Sequence, residues 1–518
     1  MKTKILTLLA CWSAISFVSC NKDLGLLPET SLSSASFFKN REQYDQALVG
    51  AYTNLRLIAL TGIYMDEMRS DNTFFTRYAA DRGTETSVEA FPQFLDDDRS
   101  SSEPNNPGNR FGNDYSGIAK TNTILTRITH SDIGLSEGAI DSISAEALFL
   151  RAFYYYDLVT HYGGVPLMLE EVTAEGQAFS PRNTVEEVYD QIIGDLEIAV
   201  QSLPVATTFP QSGRATKGAA DMLLAYAYMS KPQPAYDKAE VVLREILGMK
   251  YGLLDNYADV FDPAHKNNKE SIFEVQYKQG NEGQQSDFAW RFIPKTTNPE
   301  AIMGVKGTNL RGGLSSGGWN VPTQEMVDSY EPGDARLPAS IGVAVGSQSG
   351  ENFTTKKVVS PVGFTPSAGE AYYYFIKKYL HPPYQVEWNT GDNFPVFRYA
   401  GALLLLSECL VEEHKNAAAL PYINQVRLRA NLKPLTVATA EAVANERRHE
   451  LAFENHRWVD LIRNGTAVAT LNAKGERLKK RYGWMLPAAF TVTKERLVYA
   501  IPFREIEVND QLVQNEGY

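Results

Sequence analysis

Residues Glu146–Leu167 read EALFLRAFYYYDLVTHYGGVPL, and this stretch decides the fold class. From Ala145 to Tyr162 the residues are mostly apolar and aromatic, and Gly163, Gly164 and Pro166 follow as stop signals. A long helix is predicted, with Tyr154, Tyr155 and Tyr156 in its interior as core. Helical patterning continues on both sides. Upstream, Tyr44, Leu48, Ala51 and Leu55 fall at intervals of four, three and four, which is one face of a helix. Downstream, Thr184–Glu187 is a capping box. Behind it Val188, Ile192, Leu196, Ala199 and Leu203 make an apolar stripe that Pro204 ends. A further helix follows Gly213 and buries Ala219, Ala220, Leu223, Leu224 and Ala227.

A loose internal repeat accompanies these helices. Ala227, Ala239, Leu243 and Ile246 lie at offsets 0, 12, 16 and 19, and Ser407, Ala419, Ile423 and Val426 repeat the spacing. Small residues at such positions let two antiparallel helices approach, as in tetratricopeptide repeats. Residues Asp96–Asp114 are rich in Asp, Ser, Asn, Pro and Gly and read as a loop. Phe261–Phe394 is different again, rich in Gly, Ser, Thr, Asn and aromatics, with strand-like runs at Ser271–Tyr277 and Ala371–Tyr379. It reads as loops and short strands carried on a helical frame, where binding usually sits. Helices resume at about Val396.

Composition bounds the function. The 518 residues are 43% hydrophobic and 22% charged, with 37 Gly and 25 Pro, so the chain is neither disordered nor collagen-like. Length alone would suggest three or four domains of ~150 residues. A net charge of −12 argues against a large nucleic-acid surface.

The N-terminus carries its own message. Lys2 and Lys4 precede the uncharged run Ile5–Ser19, too short for a membrane span of ~20 residues and suited to a secretory leader. Phe17-Val18-Ser19-Cys20 resembles the lipobox of bacterial lipoproteins, with Phe17 where Leu is commoner. That makes residues 1–19 a signal peptide, Cys20 the lipidated residue and residues 20–34 an anchor and polar tether. An ordinary signal peptide with an incidental Cys is the alternative. Cleavage removes Cys11, which leaves Cys409 alone as a core residue without a disulfide partner. Two or more acyl chains hold a protein firmly on a membrane.

Several stretches, in order, resemble the SusD/RagB family of outer-membrane lipoproteins of Bacteroidota. They are Glu146–Leu167, Arg182–Pro204, Gly213–Met229, Tyr330-Glu331 with Asp334–Arg336, Phe394–Leu410, Ile423–Leu432, Asn445–Gly465 and Ile501–Tyr518. Asn455 stands where a Gly is usual, and Gly401 where an Asp is usual. The resemblance implies a mainly α fold, a tetratricopeptide-like scaffold of about eight helices in four pairs, with an irregular loop and short-strand region holding the ligand. It divides the chain into an N-terminal helical part (35–260) and a C-terminal part (261–518), with variable loops at 261–394 and closing helices at 395–518. It implies a cell-surface protein that captures oligosaccharide and passes it to a SusC-like TonB-dependent transporter in the outer membrane. RagB-type members take peptides instead. Lys22-Asp23 matches the surface-export signal of such lipoproteins only in part.

Catalytic patterns are weak by comparison. Gly313–Gly317 fits the nucleophile-elbow spacing, but Gly317, Gly318 and Pro322 break the helix that motif requires. His449 and His456 are about two helical turns apart, too far to share a metal as an i, i+4 pair would. The run Glu446, Arg447, Arg448, Glu450, Glu454, Arg457, Asp460 and Arg463 reads as a packing network of ion pairs. No cofactor is expected. Asp96–Asp98 has the oxygens to bind Ca²⁺ but lacks EF-hand spacing, and reads more simply as a solvated acidic loop.

Aromatics carry the positive case. Sugar rings present apolar C–H faces that stack on flat side chains, while amides and charged groups fix the hydroxyls. Two loop clusters mix both kinds: Asp71, Asn72, Phe74, Phe75, Arg77 and Tyr78, and Asp287, Phe288, Trp290 and Arg291 with Trp319 and Asn320. For each aromatic the alternative is packing against the scaffold. If Trp290 or Trp319 stacks on a glycan, its replacement by Ala would weaken binding by ~1–3 kcal/mol. The leading expectation is therefore a non-enzymatic glycan-binding lipoprotein. The alternatives are a peptide-binding member, a surface hydrolase and a ligand-free helical scaffold.

Overall fold

The apolar helix exists and is longer than its most apolar run. It spans Glu137–Tyr162, starts where the Ser136 hydroxyl accepts the Ala139 N–H, and ends at Gly163 with φ +73°. Glycine takes that left-handed conformation without penalty. Tyr154 and Tyr155 are fully buried. The structure, a computed structural model, describes residues 37–79, 85–99, 107–130, 133–305 and 317–518. The leader, Cys20, the tether and most of the Gly313–Gly317 pattern lie outside the described residues.

Eight helices make the scaffold: α1 (Arg41–Tyr52), α2 (Pro107–Thr129), α3 (Glu137–Tyr162), α4 (Val185–Ser202), α5 (Lys217–Ser230), α6 (Tyr236–Gly248), α7 (Tyr399–Glu412) and α8 (Asn416–Arg429). They pack as the pairs α1–α2, α3–α4, α5–α6 and α7–α8, and each pair touches the next. This is a short solenoid of the tetratricopeptide kind. Ala227, Ala239, Leu243 and Ile246 are all fully buried, as are Ser407, Ala419, Ile423 and Val426, so the loose repeat marks two equivalent helix pairs. Cys409 is buried in α7 and donates its thiol to the Tyr236 carbonyl (2.9 Å). The capping box closes both ways: Thr184 Oγ1 accepts the Glu187 N–H at 3.2 Å, and the Glu187 carboxylate accepts the Thr184 N–H at 2.7 Å.

Two boundaries differ from expectation. The loop expected over Asp96–Asp114 gives way to helix α2 at Pro107. Proline is well placed at a first helical position, whose N–H would be unpaired anyway. Burial of Arg110, Phe111 and Asp114 then overrides the poor helix propensity of the segment. Val396 does not begin a helix; it lies in a strand, and α7 starts at Tyr399.

Although α6 and α7 pack directly, 150 residues of chain separate them (249–398). The solenoid thus continues across a long excursion. Among the described residues the strands form three small antiparallel sheets. β1 (Thr73–Phe74) pairs with β3 (Val321–Pro322), and β2 (Ser271–Val275) pairs with β7 (Phe394–Arg398). β4 (Ile341–Ser349) lies between β5 (Asn352–Val359) and β6 (Ala371–Ile376). The β2–β7 pair, with Ser271 opposite Arg398, closes the base of the excursion.

What fastens the excursion to the solenoid is charge. Among the helices that follow α8 are α9 (Ala440–Glu450), α10 (Arg457–Arg463) and α11 (Ala467–Arg481). Arg398 is 2% exposed and uses all five N–H donors. They go to Glu454 (2.7 and 2.9 Å), Glu270 (2.7 Å), the Glu450 carboxylate (2.9 Å) and the Glu450 carbonyl (2.8 Å). Arg336 bridges Asp334, Glu446 and Glu450, while Arg427 and Arg429 reach the same carboxylates from α8. Burial pushes the Glu450 carboxyl up, but Arg429, Arg398 and Arg336 overcome that and hold it at about 2. The expected packing network is therefore real, with one change. Helix α9 stops at Glu450, and Glu454 lies in the turn beyond it, where Phe453 and Asn455 both have positive φ. Asn tolerates that conformation better than most residues.

Removing one partner from such a cluster leaves buried charge unpaired, which costs ~3–5 kcal/mol. Arg398→Met is expected to lower unfolding free energy by about that much in urea titration. A loss below ~1 kcal/mol would show that the cluster does not hold the excursion.

Candidate functional site

The segment before β1 is immobilised from three sides. Lys474 Nζ, on α11, donates to the carbonyls of Met68 (3.2 Å), Ser70 and Thr73 (2.7 Å). The Asp71 carboxylate receives Arg457 at 2.7 and 2.9 Å and lies 3.3 Å from Arg448. Although burial alone would raise it, Arg448 and Arg457 hold its pKa well below the usual carboxylate range. Asn72 donates to Glu67 (2.8 Å) and accepts from Arg448 (2.8 Å). Asn320, with φ +51°, accepts the Thr73 hydroxyl (2.6 Å) and donates to the Ile63 carbonyl. Asp71, Asn72 and Asn320, read from the sequence as ligand contacts, are therefore fully engaged inside the protein. They set the position of β1 and of the residues that follow it.

Those residues open a groove of about 460 Å³. Phe74 and Phe75 form its floor, 4.3 Å apart between ring centres. Trp484 lies nearly parallel to Phe74 (6.3 Å, 13°) and 5.8 Å from Phe75, with Tyr482 a further 5.7 Å away. Across the groove, β6 supplies Tyr372, Tyr373 and Tyr374, all half-buried; Tyr372 and Tyr374 are 5.7 Å apart. Burial raises the Tyr373 and Tyr374 phenols, which therefore stay neutral. Polar groups stand among the rings. The Tyr373 hydroxyl donates to Gln348 (3.1 Å), and Thr76, Gln324, Arg77, Arg481 and Glu370 complete the lining. Flat rings with interspersed amides, hydroxyls and guanidiniums are what a sugar chain needs: C–H faces stack, and hydroxyls find donors and acceptors.

Of the residues read from the sequence, Phe74, Phe75 and Arg77 line this groove and the rest do not. Trp290 has no exposed surface; it packs 5.8 Å from Trp388 inside the excursion's own core. Phe288 is buried against Tyr277 and Phe394. Asp287 and Arg291 pair with each other, and Arg291 also donates to the Tyr64 hydroxyl. Trp319 packs on Tyr64 and Phe75 beneath the floor. Tyr78 is buried, and its hydroxyl accepts the Lys295 N–H. A Trp in a loop-like sequence is thus core here, because the excursion is large enough to need a core of its own. The rings missed from the sequence are Tyr372–Tyr374, Tyr482 and Trp484. Three consecutive tyrosines put aromatics on both faces of an edge strand, which a strand with one buried face does not need.

Among the described residues Glu370 is the one carboxylate that lines the groove, and glycoside hydrolysis needs two, ~5–10 Å apart. His449 bonds to Ser329, and His456 stacks on Tyr226. Asp96 is buried and paired with Arg69 and Arg496 rather than presented as an open ligand. Among the described residues no cluster of His, Cys, Asp and Glu is placed to hold a metal, and no helix is long and apolar enough to cross a membrane.

Glu67 reports on how firmly the segment is held. Burial raises its pKa to about 7, against hydrogen bonds from Asn72 and Asn455. A raised carboxyl contributes stability that is complete below its unfolded value and lost as pH rises through the folded one. The wild type is expected to lose on the order of 3 kcal/mol more than Glu67→Gln between about pH 4.5 and 8. Parallel melting-temperature profiles for the two proteins would refute this.

Comparison with known proteins follows the same outline. A family model described as "SusD family" matches residues 269–518, and one described as "Starch-binding associating with outer membrane" matches residues 26–231. SusD-like protein P25 of Formosa agariphila is 26% identical over 96% of this chain and 97% of its own. Starch-binding protein SusD of Bacteroides thetaiotaomicron is 24% identical over 72% of each. Among solved structures, a laminarin-binding SusD-like protein superposes with a TM-score of 0.73 at 26% identity, covering 93% of this chain and 100% of that one. Surface glycan-binding protein A of Bacteroides thetaiotaomicron, solved with laminarihexaose, gives 0.71 at 21% identity, covering 92% and 99%, and supports the fold alone.

Proposed function

The chain belongs to the SusD/RagB family, and on that premise we propose that its aromatic groove is the oligosaccharide site of a cell-surface lipoprotein. The family consists of binding proteins rather than enzymes. The observation that carries the reading is the pairing of ring planes with hydrogen-bonding groups around Trp484, Tyr482 and Tyr372–Tyr374. Relatives named for starch and laminarin binding support a glycan as the cargo. The groove is preformed: ion pairs and backbone hydrogen bonds already hold its floor, so little ordering entropy is lost on binding. The lipobox-like leader and the outer-membrane description of the matching family model support anchoring of Cys20 in that membrane. Within this reading the captured glycan passes to a SusC-like TonB-dependent transporter.

Calorimetric titration of the purified protein against panels of oligosaccharides and peptides tests the proposal. Saturable binding of one glycan class is expected. Trp484→Ala and Tyr482→Ala should each weaken it by ~1–3 kcal/mol, the scale of stacking losses at other aromatic platforms. Unchanged affinity in both variants would remove the groove from binding. A response to peptides with silence across the glycans would move the protein to the peptide-binding branch of the family.

A further inference from the structure

Resting on the reading of the groove as a glycan site, we propose that its ligand is an anionic glycan, one carrying uronate carboxylates or sulfate esters. Two arginines line the groove. The Arg77 guanidinium lies 5.1 Å from the ring of Trp484, and that of Arg481 lies 5.5 Å from the ring of Tyr482. These are the rings assigned to sugar stacking. Among the described residues neither guanidinium has an ion-pair or hydrogen-bond partner.

Arg77 is half-buried and Arg481 exposed, whereas most of the paired arginines named next are buried. Net charge is −12, and carboxylates are abundant enough to pair Arg336, Arg398, Arg427, Arg429, Arg447 and Arg448. Glu370, the one lining carboxylate among the described residues, pairs with neither Arg77 nor Arg481. The lining therefore carries two positive charges against one negative. In the last turn of α11, Lys479 and Lys480 precede Arg481 in the chain, and Lys479 lies 3.9 Å from Glu476.

Geometry gives the charge a purpose. A guanidinium laid over an aromatic ring has its plane fixed without spending its N–H donors. The free fork matches a carboxylate or sulfate through two parallel hydrogen bonds. Each fork stands beside a ring that would take the sugar face, so stacking and anion capture fall on the same or adjacent residues of the glycan. Neutral hydroxyls do not require this arrangement, because Gln324, Gln348 and Thr76 already offer donors and acceptors for them.

The test compares chemically matched pairs by calorimetry on the purified protein: oligogalacturonate against its methyl ester, and a sulfated galactan oligosaccharide against its desulfated form. The neutral panel used above is run beside them. At least one anionic member is expected to bind about tenfold tighter than its neutral match, as charge-assisted hydrogen bonds do. That margin should shrink as salt screens the interaction. Which pair shows it distinguishes carboxylate from sulfate. Arg77→Gln and Arg481→Gln should each lower the anionic-to-neutral affinity ratio about fivefold or more while melting temperature is kept. Equal affinities within both pairs, or a ratio indifferent to both substitutions, overturn the anionic ligand and leave the glycan reading standing. No binding by any oligosaccharide overturns both.

Discussion

A guanidinium withdrawn from water is tolerable only when its donors find acceptors, and Arg398 satisfies that condition at one place in this fold. Its five hydrogen bonds join the return strand of the excursion (β7) to Glu270 at the excursion's start and to Glu450 and Glu454 near the end of α9. Arg336 ties in the middle of the excursion, and Arg427 and Arg429 tie in α8. A solenoid of helix pairs has no intrinsic reason to hold 150 residues of loops and small sheets in one orientation. Apolar packing is non-directional and would accept several docking poses. The buried ion pairs accept one, because any other leaves charge without a partner.

The same device reaches the groove. Arg448 and Arg457, from the helices that follow α8, hold Asp71, and Lys474 gathers three carbonyls of the segment leading to Phe74. Binding surface and scaffold are thus one electrostatic structure, with rings on its outer edge. A recognition site whose backbone is fixed before the ligand arrives loses little entropy on binding, and its specificity then follows from which side chains crown it. Here the crown is aromatic and, at Arg77 and Arg481, cationic.

Legibility from the sequence divides along the same line. The acidic and basic run from Glu446 to Arg463 was readable as a packing network because it is dense and helically spaced. Its partners Glu270, Arg336 and Arg398 were not, since nothing local distinguishes them from surface charges. Phe74, Phe75 and Arg77 were readable as a mixed aromatic and polar loop, and they do line the groove. Asp71, Asn72 and Asn320 looked equally suitable, yet the protein uses them on itself. Trp290 and Trp319 misled because a tryptophan in an irregular stretch has the same composition signal whether it faces sugar or core.

By itself the sequence determined most of the helices and the presence of an irregular region set among them, through periodicity, caps and breakers within a few turns of chain. The arrangement of eight helices in four pairs followed from the resemblance to the SusD/RagB family. Only the tertiary structure decided which rings meet water. The groove brings together Phe74, Tyr372 and Trp484 from three distant segments, and whether a given ring lies in the floor, the wall or the core depends on how the excursion docks. That docking is set by ion pairs between residues far apart in the chain, which no local pattern records.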